Sequence, residues 1–132
     1  MQSILPFFLF FFTSECTWDR YFYEAQVVST YDADTTTLDV DLGFNVSIQE
    51  RFRLHGINAW EVTGSQKNKG IPARDWLRSL IPENHNIHIH TIQDHKGKFG
   101  RYLCRIYLPT ALGWICINDE LVRQGYAVYQ EY

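Results

Sequence analysis

The stretch RFRLHGINAWE, Arg51 to Glu61, sets two arginines and a histidine beside a carboxylate. Arg51, Arg53 and His55 alternate with Phe52 and Leu54, the period of a half-buried strand, before Gly56 breaks the pattern and Glu61 arrives behind Trp60. Asp34 stands in YDADT and a further arginine, Arg101, in KFGRYL. These residue types suit one chemistry. In-line attack on a phosphodiester builds negative charge on the equatorial oxygens. Two guanidiniums can grip those oxygens bidentately, which ammonium groups do less well. A carboxylate at Glu61 can take a proton from the attacking water or orient that water. A hard cation between Asp34 and a phosphate oxygen would act as a Lewis acid. Such a cation takes about six or more oxygen ligands, so water would complete so sparse a site. Taken alone, Arg53 and Glu61 would more often be a salt bridge. Joined to Asp34 and Arg101, they favour catalysis.

The elements that must position these residues are short. Tyr21–Thr30 has strand composition, and Thr35–Leu42 alternates Leu38, Val40 and Leu42 against Thr37, Asp39 and Asp41. An Asp-rich turn lies between them. A third strand covers Arg51–Ile57. After the polar stretch GSQKNKG at 64–70, Pro72 suits the first position of an amphipathic helix. Ala73, Trp76, Leu77 and Leu80 face inward, Arg74 and Arg78 outward, and the helix ends before Pro82. Asn86–Gln93 reads as a fourth strand, Asp94–Gly100 as a basic turn and Arg101–Leu108 as a fifth strand. Asn118 suits the cap of a last short helix that Gly125 stops. The pattern is α+β: a five-stranded barrel of the OB type with about two to three helices.

The chain of 132 residues is long enough for one domain with a real core. With 16% aromatic and 20% charged residues it is globular rather than disordered. The formal net charge of −3 hides an asymmetry: ten of the twelve Lys and Arg but only four of the fifteen acids fall within 51–105. That middle is +6 and the remainder −9, so a polyanion can be attracted locally. The three cysteines, Cys16, Cys104 and Cys116, fit neither a zinc motif nor a closed disulfide set. His85, His88 and His90 read as surface strand histidines. Residues 1–16 form a separate hydrophobic N-terminal segment, and 17–132 the folded domain. Ile4–Phe12, ILPFFLFFF, is too short for a membrane-spanning helix. Its length suits the apolar core of an export signal, yet no Lys or Arg precedes it and no small-x-small site follows. A misassigned start codon is the other reading. The protein is extracytoplasmic under the first and cytoplasmic otherwise.

Three stretches taken together, YDADT at 31–35, RFRLHGINAWE at 51–61, and KFGRYL at 98–103 with INDELVRQGYA at 117–127, resemble the staphylococcal-nuclease-like (thermonuclease) family, in particular its compact phage and bacterial members. The resemblance covers about residues 21–132. It implies a calcium-dependent endonuclease acting on DNA and RNA, single strands preferred, that leaves a 3′-phosphate and a 5′-hydroxyl and works as a monomer. Arg53, Glu61 and Arg101 match the catalytic residues. Asp34 matches a calcium-binding aspartate, Asn58 sits where a second is usual, and Ala59 stands where a backbone carbonyl can serve as a ligand. Lys98 and Arg105 could guide the nucleic-acid backbone.

The chain departs from the family pattern at four places, of which Phe99 for the Tyr of KYGR removes only a hydroxyl. Ala33 replaces the Gly of DGDT and would strain the turn if φ there is positive. Asn58 removes a negative charge, which implies weaker metal affinity. Trp60 replaces the Pro before Glu61, which leaves the aim of that carboxylate less fixed. Two other classes stay open: a catalytically weak or inactive nucleic-acid-binding module, and a structural or membrane-associated protein anchored by its Phe-rich N-terminus.

Overall fold

The computed structural model describes residues 20–93 and 102–131. The expectations for residues 1–16, for the basic turn and for Lys98 and Arg101 lie outside them. Strands β1 (Phe22–Asp32), β2 (Thr35–Asp41) and β3 (Ser47–Leu54) form an antiparallel meander. The short β4 (Ile57–Ala59) leads through a 3-10 turn (Gly64–Gln66) into helix α1 (Lys67–Leu80). Strands β5 (Asn86–Ile92), β6 (Tyr102–Thr110) and β7 (Gly113–Cys116), helix α2 (Ile117–Arg123) and β8 (Ala127–Tyr129) follow. β5 pairs with both β1 and β6. A parallel pairing of β3 with β6, Phe52 opposite Tyr102 and Leu54 opposite Cys104, closes the ring. The result is a closed five-stranded barrel with two α-helices among the described residues, the OB-type architecture the sequence implies.

Alternation fills the barrel. Ala25, Val27, Leu38, Val40, Phe52, Leu54, Ile87, Ile89, Cys104 and Ile106 are all buried, and Ala73 and Leu77 of α1 and Ile117 and Leu121 of α2 join the same core. A side chain such as Leu54, wholly buried, contributes about 2 kcal/mol by removal from water.

Several elements differ from their expected bounds. The helix starts at Lys67, not Pro72, so Pro72 lies inside it and the Asn68 carbonyl loses its usual amide partner. β7 and β8 are too short to show a period. Asn118 is no cap: the helix N-cap is Cys116, and Asn118 is buried in the core. Its Oδ1 accepts from the Ile106 amide at 3.1 Å, while its Nδ2 donates to the His55 and Cys104 carbonyls at 2.9 and 3.1 Å. It therefore locks the parallel seam where the barrel closes.

Candidate functional site

The β1–β2 turn delivers Asp34 with its side chain almost wholly buried. Its Oδ2 accepts from the Ala59 amide at 2.9 Å and its Oδ1 from the Thr35 hydroxyl at 3.1 Å. The Asp34 amide donates in turn to Asp32 Oδ1 at 3.2 Å. The expected strain at Ala33 is absent. Among the described residues other than glycine, positive φ occurs at Tyr21, Phe44, Asn45 and Asn84, not at Ala33. The Ala33 methyl is fully buried in the core, which favours the turn by about 0.8 kcal/mol.

Arg53 projects from β3 toward the same point. Its NH2 lies 3.6 Å from Asp34 Oδ2, an ion pair rather than a hydrogen bond. NH1 donates to the Ile57 carbonyl at 3.0 Å, and NH2 to Asn58 Oδ1 at 3.3 Å. Gly56 makes this possible: φ of +81° reverses the chain after His55 and brings β4 back alongside the guanidinium. β4 is fixed from its other side by β8, which pairs Asn58 with Val128 and Ala59 with Ala127. Asn58 and Ala59 are thus brought beside Asp34 and Arg53. Ala59 meets Asp34 through its N–H.

Glu61 is exposed and is steadied through its backbone. Its amide donates to Gln66 Oε1 at 2.9 Å. Gly70 of α1 packs directly on the same peptide: a Cβ there would sit 1.9 Å from the Glu61 carbonyl oxygen and 2.8 Å from that of Trp60. The Trp60 indole donates to the Gly125 carbonyl at 3.4 Å, and the Lys69 ammonium lies 4.7 Å from the centre of a Trp60 ring. Where a proline would restrict the backbone, four contacts from three segments hold it.

Asp32 ends β1 two residues before Asp34. It is buried, and its carboxyl is pushed up to about 7, first by burial, then by hydrogen bonding to and the charge of Asp34, with Glu61 adding to the field. The Asp34 amide opposes the shift. Strict alternation from Val27 would have pointed Asp32 outward. A register shift between Val27 and Ser29 reverses the phase, so that Thr30 and Asp32 face in and Tyr31 faces out. His55, between Arg53 and Arg105, is held below its usual imidazole range by burial and then by those two positive charges. Arg105 is half-buried and engaged: NH2 donates to Asp119 Oδ2 at 2.9 Å and meets Cys116 Sγ at 3.3 Å.

A negative cluster that resists full ionisation fits a hard cation, and the nearby donors are oxygens: the carboxylates of Asp34 and Asp32 and the amide oxygen of Asn58. Among the described residues, no three His, Cys, Asp or Glu side chains form a ready metal site, so water would supply part of any shell.

A family model described as Staphylococcal nuclease homologue matches residues 51–132. The matched stretch takes in Arg53, Asn58, Glu61, Arg101 and Arg105, while Asp32 and Asp34 precede it. No curated protein matches the chain.

Proposed function

This chain belongs to the staphylococcal nuclease family, and we propose that it is a calcium-dependent endonuclease that hydrolyses DNA and RNA to 3′-phosphate products. The observation that supports this best is the meeting of Arg53 with the Asp34 carboxylate, 3.6 Å apart. A buried carboxylate and a guanidinium already aimed at one point need little reorganisation when a phosphate enters.

Arg53 binds and orients the phosphate, with its fork held by the Ile57 carbonyl and Asn58 Oδ1. Glu61 accepts the proton of the attacking water or orients that water from its solvent-open position. Arg101 supplies the second guanidinium. Asp34 and Asp32, with Asn58, would hold Ca²⁺. When bound, that ion supplies Lewis-acid stabilisation of the charge developing on the phosphate. Ala59 serves the site by fixing Asp34 through its amide. Lys98 and Arg105 would guide the rest of the strand. Arg105 would have to exchange its Asp119 contact for a phosphate, a modest cost at a part-exposed pair.

A second reading has one specific support. The neutral Asn58 oxygen already accepts from Arg53, so metal affinity is reduced and the chain would bind nucleic acid without cutting it. Digestion of single-stranded DNA in Ca²⁺ and in EDTA, with analysis of product ends, separates the two. Cleavage in Ca²⁺ alone, leaving 3′-phosphates, is the expected result. Binding without cleavage at any calcium concentration would favour the second reading.

A further inference from the structure

Helix α1 presents a stripe that the reaction does not use. Lys67, Ile71, Arg74 and Arg78 recur at i, i+4, i+7 and i+11, one face of a helix. They border an open groove of about 610 Å³ whose other wall is Tyr31 of β1 and the Val62–Gly64 segment. The groove adjoins the candidate active site along this second wall. Tyr31 is next to Asp32 in the chain, and Val62 is next to Glu61. Tyr31 is 55% exposed, because the register shift in β1 turns it outward as it turns Asp32 in.

We propose that this groove is a subsite for the single strand of nucleic acid extending from the scissile phosphate, with Lys67 and Arg74 on backbone phosphates and Tyr31 stacked on a base. The inference rests on the nuclease reading for its choice of ligand and extends it to a surface outside the reacting centre. The cations span 11 residues of helix, roughly 16 Å at 1.5 Å per residue, which is several nucleotides of strand. No carboxylate pairs with Lys67 or Arg78 among the described residues. Among the described residues Arg74 pairs with its neighbour Asp75 at 3.2 Å, where the Asp75 side chain is exposed, a contact that a phosphate can replace at little cost. Arg78 donates through Nε and NH2 to the Thr30 carbonyl at 3.2 and 2.7 Å. It ties the helix to β1 and adds its charge to the groove from that fixed place. An exposed aromatic beside a row of cations is the combination that tracks a single strand without reading its sequence.

The test is fluorescence anisotropy of a labelled 20-nucleotide single strand in EDTA, across a salt series. It compares wild type, Lys67→Ala/Arg74→Ala, Tyr31→Ala, and a charge-matched control, Arg20→Ala/Arg123→Ala. Arg78 is left intact because its removal would loosen the helix. The groove variant is expected to bind more weakly, with its salt slope shallower by about 1.4, two phosphate contacts at about 0.7 each. Tyr31→Ala is expected to weaken binding about five-fold or more without changing the slope. The control should change the slope far less. An unchanged slope in the groove variant, or an equal change in the control, overturns the proposal. Binding in EDTA is read apart from cutting. A wild type that binds through these residues but never cuts sinks the nuclease reading alone. One that cuts while its binding ignores them sinks only the groove.

Discussion

Asp34 and Glu61, the candidate-site carboxylates that come before and after Arg53 in the chain, are supported in opposite ways. Asp34 is buried, its oxygens fixed by the Ala59 amide and the Thr35 hydroxyl. Glu61 is exposed, and the contacts described for it reach its backbone, from Gln66 and Gly70. The first arrangement fixes a charge from inside the barrel. The second aims a side chain from outside and leaves it open to water. A group that must hold a cation benefits from the first, and one that must exchange protons with solvent benefits from the second.

That contrast is sharpest at Gly70. A methyl group at 1.9 Å from a backbone oxygen cannot be absorbed by a side-chain rotation, so Gly70→Ala must move either α1 or the Glu61 peptide. The expected loss is about 100-fold in kcat, the effect of a displacement near 1 Å. Calcium binding, which depends on the inner cluster, should be little altered. Steady-state kinetics beside calorimetric titration checks both, and equal losses in both would erase the distinction between the two supports.

The inner support is probed by Asn58→Asp. The restored carboxylate adds a negative charge beside Asp34, and calcium affinity should rise about ten-fold, with kcat at saturating calcium nearly unchanged. No tightening in a calcium titration would mean that the Asn58 position does not face the ion.

A smaller effect follows from Asp32. Its carboxyl is raised to about 7 from an ordinary 3.8, so the folded state binds more protons than the unfolded one between those values. Stability from this group is therefore full below pH 3.8 and is lost as pH rises through about 7. In EDTA, Asp32→Asn should remove that decline and add about 1 kcal/mol at pH 8 once screening by solvent is counted. Calcium should stabilise the wild type more than the variant. Urea unfolding at pH 5 and pH 8 would show it, and the same decline in the variant would place its origin elsewhere.

The outer support was the harder one to see in the sequence. Arg53 and Leu54 alternate plainly, so strand and facing follow from period alone, and Asp34 sits in a turn whose composition announces it. Asp32 required knowledge of a register shift that no local pattern encodes. GSQKNKG at 64–70 has no apolar residue to mark a helix, yet it becomes the first helical turn because Gly70 must pack on the Glu61 peptide. Asn118 has the composition of a cap, and only the closure of the barrel makes it the polar clamp of a buried seam. Trp60 likewise looked like a loss of rigidity until Gly125, Lys69, Gln66 and Gly70 were seen to surround that peptide. What the sequence left hidden in each case was a register or a contact that only the folded chain sets, rather than the local pattern.

The most direct test of the account is the cleavage rate of Glu61→Gln beside wild type, on single-stranded DNA in saturating calcium. The substitution keeps size and backbone contacts and removes only the base. A fall of about 10²–10⁴-fold with DNA binding retained is predicted. A variant that cuts within a factor of two of wild type would contradict the role of Glu61 and with it the proposed mechanism.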